Sequence, residues 1–164
     1  MNNNHGVSLV ETLIYVAILS LIISGLFSFS LTISANRNKA YAVQEVQSNI
    51  RSMVTAVKAD MRAATAVTSP TAGNTGPTLI LDMGTNPDIT YSVVDNVFYR
   101  TAGVGDPVAI STSRSAISGL IFKNLATTND RDNIELIAVI TYADGSSRDF
   151  SYSQNLQTTF STKK

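Results

Sequence analysis

From Thr12 to Ile33 the chain is mostly Leu, Ile, Val, Ala and Phe, and no residue between Glu11 and Arg37 carries a formal charge. Such a run predicts a helix able to cross a bilayer, which takes about 20 apolar residues. Within it Ser20, Ser24 and Ser28 recur every fourth residue beside Gly25, placing small side chains on one face, where they permit close helix approach. Past Arg37 the helical pattern continues in another form. Val43, Val46, Ile50, Met53, Val57, Met61 and then Ala64 are spaced three and four apart, the single apolar stripe of an amphipathic helix. Gln47, Asn49, Arg51, Ser52, Lys58 and Arg62 fall mostly on other faces, and Ser69-Pro70 with Gly73-Asn74 supply stop signals. A helix from Val7 to about Thr65 would be about 90 Å long at 1.5 Å per residue. That exceeds what a soluble domain of this size uses, so the element serves something larger.

From Thr78 onward the period shortens to that of strands separated by turns. Thr78 to Met83, Ile89 to Val94 and Val97 to Arg100 read as strands, with Asp95-Asn96 as a tight turn between the last two. Pro107 to Ser111 is a weaker candidate, Ile117 to Lys123 and Ile134 to Tyr142 strong ones. Ile134, Leu136, Ala138, Ile140 and Tyr142 share one apolar face, and Ile137 and Val139 on the other face mark this strand as central. Ala143-Asp144-Gly145-Ser146 predicts a hairpin turn into Arg148 to Tyr152, and Leu156 to Phe160 a last strand before a polar tail. With no second segment of helical period, the stripe must pack on this sheet. The fold class is α+β: one long N-terminal helix whose second half lies on an antiparallel sheet.

The candidate chemistry lies at the N-terminus, in Gly6-Val7-Ser8-Leu9-Val10-Glu11. A secretory signal places its cleavable small residues after the apolar stretch. Here the glycine precedes it, behind five polar or short residues, so a cut after Gly6 would keep the apolar segment and begin the mature chain at Val7. Glu11 then sits one helical turn from the new amine. An ionised carboxylate in hydrocarbon costs a few kcal/mol (about 2.5 to 3.5 for Asp at a helix centre), less toward the interface, so Glu11 needs a partner. Nothing else in this stretch supplies one. Apart from Arg37 and Lys39 far along, the nearest positive group is the α-amine of Val7, on its own or a neighbouring subunit, and the helix dipole also favours an acid here.

At these residues the chain resembles the type IV pilin and type II secretion pseudopilin superfamily. Its precursors carry a glycine, an apolar first mature residue and Glu at the fifth mature position, where Glu11 falls. The leader lacks Lys and Arg, and the first mature residue is Val rather than Phe. The resemblance implies a peptidase that cuts after Gly6 and methylates Val7, with Glu11 as an assembly carboxylate. It also implies a pilin-like division: leader 1–6, transmembrane and filament-core helix 7–35, amphipathic helix 36–69, and antiparallel sheet domain 70–164. Partners would be the prepilin peptidase and methylase, other pilin or pseudopilin subunits, an inner-membrane assembly platform, and lipid before assembly. Members often have a proline where Ser28 stands, and its absence leans toward a minor subunit. The protein would pass from the inner membrane into a periplasmic or extracellular filament.

Composition narrows the rest. The length predicts one folded domain, and a formal net charge of zero gives no reason to expect nucleic acid. Cysteine is absent, and the single histidine, His5, lies in the leader. A mature chain without either lacks the commonest general base, thiol nucleophile and soft metal ligands, which argues against an enzyme and gives no cofactor. Asn129-Asp130-Arg131-Asp132-Asn133 has oxygen ligands suited to calcium, but lacks the glycine and closing Glu of an EF-hand and is read as a solvated turn. Gly103-Val104-Gly105-Asp106 reads as a plain loop, and Tyr91, Phe98 and Tyr99 as core. Three functions stay open: a filament subunit, a binding module at a filament tip, and a single-pass anchored domain that never polymerises. Arg37 and Lys39, placed outside the membrane beside an uncharged leader, lend the last some support by the positive-inside rule, but the cleavage motif overrides it and the filament subunit is the reading adopted.

Overall fold

The computed structural model describes residues 8–127, 132–143 and 151–162, and its first element is one unbroken helix, α1 (Leu9–Ala63). The chain divides into two units, one ending at Asn38 and one beginning at Lys39. No proline and a single glycine, Gly25, fall between Leu9 and Ala63, so nothing in the backbone interrupts the helix. Thr12 N donates to Ser8 O (3.1 Å) at the start, and Ala64 N to Asp60 O (2.8 Å) at the end.

The helix stops six residues short of the boundary expected at 69. Thr65, Val67 and Thr68 are β-branched and Ser69 precedes Pro70, all of which disfavour helix. Thr65 N turns instead to Asp82 O (2.8 Å), and Ala66–Ser69 becomes a strand, β1.

The strands form two antiparallel sheets where one was expected. Among the described residues, β1, β3 (Leu79–Asp82), β4 (Ile89–Val94), β5 (Val97–Ala102) and β6 (Val108–Ala109) make a five-stranded sheet in the order β1-β3-β4-β5-β6. β2 (Thr75–Gly76), β7 (Ser115–Asn124), β8 (Asn133–Tyr142) and β9 (Ser153–Ser161) make a four-stranded sheet in the order β2-β7-β8-β9. The sheets are joined where Ile117 N donates to Asn96 O (2.9 Å). Asp95 and Asn96 have φ of 49° and 64°, the left-handed values of a two-residue hairpin turn, as expected from the sequence. β8 is central, between β7 and β9, and buries Ile134, Leu136, Ala138, Ile140 and Tyr142 on one face. The expected turn at 143–146 and strand at 148–152 fall largely outside the described residues, and the last strand begins at Ser153, earlier than Leu156.

Both sheets share one core with the second half of α1. Val46, Met53, Val57 and Met61 are fully buried with Leu79, Leu81, Tyr91 and Phe98 of one sheet and Phe122, Ile134, Leu136 and Ile140 of the other. Each such aliphatic or Phe side chain contributes about 1.5–3 kcal/mol by leaving water. The stripe is rotated slightly from its expected position: Ala42 and Asn49 are buried, whereas Val43 and Ile50 are half-buried. Tyr91 stacks on Phe98 with ring centroids 5.3 Å apart, so both aromatics are core, as expected.

Candidate functional site

In the unit ending at Asn38, α1 has no apolar face because it is apolar all round. From Leu9 to Ile33 every large apolar side chain is exposed, from 43% at Ile33 to 77% at Leu9. Water does not tolerate so continuous an apolar surface; a bilayer or a surround of like helices does. The segment is long and apolar enough to cross a membrane.

The polar groups of this segment bond along their own helix. Thr12 Oγ1 donates to Leu9 O (2.8 Å), Ser20 Oγ to Ala17 O (2.8 Å), Ser24 Oγ to Ser20 O (2.8 Å) and Thr32 Oγ1 to Ser28 O (3.0 Å). Glu11 lies in the first turn, where the helix dipole favours its charge. The expectation that nothing nearby supplies it a partner is corrected here: Tyr15, one turn on, donates its hydroxyl to Glu11 Oε1 at 3.1 Å. That partner is neutral, and no described cation pairs with Glu11. Gly6 and Val7 lie outside the described residues. Gly25 has open space where a Cβ would stand, so backbone crowding within this chain does not require glycine there.

Three polar clusters in the other unit were not anticipated. Asp60, on α1, accepts from Tyr91 Oη (2.5 Å) and Arg100 Nε (2.7 Å), tying the helix to β4 and β5. Burial first, and the Asp60 carboxylate second, push the Tyr91 phenol far above its ordinary value. The hydrogen bond to Asp60 likewise raises Arg100. Asn49, expected on an outer face, is buried: its Oδ1 accepts from Thr112 N (2.8 Å), and its Nδ2 donates to Ser115 Oγ (3.0 Å) and Glu45 O (2.9 Å). Asp132, from the segment weighed for calcium, spends its carboxylate on Val67 N (2.9 Å) and Asn124 Nδ2 (3.3 Å). No described group of three acidic, His or Cys residues could hold a metal ion, and residues 129–131 are not described. All three clusters fasten the fold.

Residues 1–27 match the family model for the prokaryotic N-terminal methylation motif. Over these residues the chain is similar to type IV pilins and pseudopilins. No curated protein and no solved structure matches it. The matched stretch holds Gly6, Val7 and Glu11 and runs on into the exposed apolar part of α1, so motif and membrane segment are continuous. A pilin-type motif implies processing by a prepilin peptidase and association with other pilin subunits, and the apolar segment fits a membrane-anchored precursor. The α+β architecture, a long N-terminal helix followed by antiparallel sheets, is pilin-like as well.

Proposed function

We propose that this protein is a minor structural subunit of a type IV pilus or type II secretion-like pseudopilus, cut after Gly6, methylated at Val7 and assembled through the first half of α1. The observation that carries the reading is the exposed apolar segment Leu9–Ile33 directly behind a methylation motif and holding Glu11 as its one charge. The assembly platform of the inner membrane would move this segment from lipid into a core of like helices. In lipid, the Tyr15 hydroxyl supports Glu11 with a neutral donor. In a dry core an unpaired carboxylate costs about 3–5 kcal/mol, so Glu11 reaches its best state only in the register that presents the Val7 amine of a neighbouring subunit. The minor-subunit assignment draws on the unbroken helix, with serine at position 28.

Coexpression with a prepilin peptidase followed by intact-mass measurement tests the processing. The expected product begins at Val7 and carries one methyl group; a chain still starting at Met1 overturns it. For assembly, Glu11→Ala leaves insertion and cleavage intact but keeps the protein out of sheared filaments, and equal incorporation of the variant removes Glu11 from any register role.

A further inference from the structure

The four-stranded sheet ends on an edge that the described residues leave open. β9 pairs with β8 along Ser153–Ser161 without a register shift, and no described strand pairs with its other side. Proteins usually blunt such edges with charges, proline, bulges or shortness. The end strands β1, β2 and β6 are short, at four, two and two residues. β9 has nine residues, Ser-Gln-Asn-Leu-Gln-Thr-Thr-Phe-Ser, and none of these defences.

The hydrogen-bond phase of β9 is fixed at both ends. Tyr142 N donates to Tyr152 O and Thr162 N to Asp132 O, so even-numbered residues bond to β8. Asn155, Gln157, Thr159 and Ser161 therefore turn their backbone N–H and C=O groups to the open side. α1 passes beside β9, where Gln47 Nε2 donates to Gln154 Oε1 (3.0 Å). Farther along, Val54, Lys58 and Arg62, on one face of α1, line a cleft of about 230 Å³ with Thr158–Ser161. Lys58 and Arg62 are exposed and have no described ion-pair partner. Four residues of helix rise about 6 Å and two of strand about 6.6 Å, so cations at positions 58 and 62 match acidic residues two apart on an added strand.

We propose that the open edge of β9, with Lys58 and Arg62, is a strand-docking site for an extended, carboxylate-bearing segment of another protein chain. Backbone bonds to β9 supply affinity, and the two cations select the alternating side chains that face α1. The site needs neither cleavage nor polymerisation and stands or falls apart from the filament assignment.

The test uses the full chain in detergent micelles and two synthetic capped peptides as long as β9, one alternating threonine with glutamate, the other threonine with lysine. The glutamate peptide should bind at least about tenfold tighter, with the difference shrinking as salt rises. Thr159→Pro removes one outward N–H but no bond to β8, and should weaken that peptide about tenfold, whereas Thr159→Val should not. The double variant Lys58→Glu/Arg62→Glu leaves the sheet untouched and should reverse the peptide preference, which decides the matter even where Thr159→Pro unfolds. Equal binding of the two peptides, or a preference that survives the charge reversal, overturns the proposal.

Discussion

Leu9–Ile33 and Val46–Met61 belong to the same helix, yet they satisfy the hydrophobic effect in opposite ways. The first is apolar on every side and exposes all of it; the second has one stripe, fully buried at Val46, Met53, Val57 and Met61. The difference teaches that α1 was composed for two surroundings. Only the second half finds its surroundings within this chain, and the first depends on lipid or on other helices.

Substitutions that act on one half alone test that division. Met53→Ala should have the largest effect, about 2–5 kcal/mol of lost domain stability from a cavity at the meeting point of helix and sheets. Chemical unfolding would read it, while membrane extraction should be unchanged; a joint loss would break the comparison. Next, Leu19→Arg places a charge within the apolar run and costs about 2.5–3.5 kcal/mol of insertion, seen as a larger extractable fraction with no change in the domain's unfolding midpoint. Asp60→Ala strands the partly buried Tyr91 hydroxyl and frees Arg100, costing about 1–3 kcal/mol in the second half only.

The smallest effect is alkaline. Tyr91 is held protonated in the fold by burial and by Asp60, whereas in the unfolded chain it ionises near its ordinary value of about 10. Its folded value is the higher one, so its stabilising share is whole below about pH 10 and is lost as pH rises above that. Tyr91→Phe should flatten the fall in stability between about pH 9.5 and 11, measured by urea titration. A slope as steep as in the native protein would assign the loss to other groups.

Much of this was legible in the chain. Periodicity located both halves of α1, the apolar face of β8 and the Asp95-Asn96 turn, because each is a local consequence of spacing. It missed the division into two sheets and the conversion of Ala66–Ser69 to β1, since both depend on distant pairing partners such as Asp82. Asn49 was misplaced for the same reason: an amide is tolerated in the core only because Thr112 and Ser115, far along the sequence, meet it. At the N-terminus, Gly6, Val7 and Glu11 were singled out by their spacing together with the resemblance to pilin precursors, and all three fall within the matched residues 1–27. Tyr15 was equally available, four residues after the acid, and the rule for side-chain neighbours on a helix points to it.

The serine and threonine hydroxyls of α1 carry one more consequence. Thr12, Ser20, Ser24 and Thr32 each spend their proton on a carbonyl of the same helix, so none is owed to the medium. Moving the segment between lipid and protein thus breaks no hydrogen bond at these four positions. In the assembly proposed above, the exchange of surroundings would be left to side-chain fit and to the Glu11–Tyr15 pair.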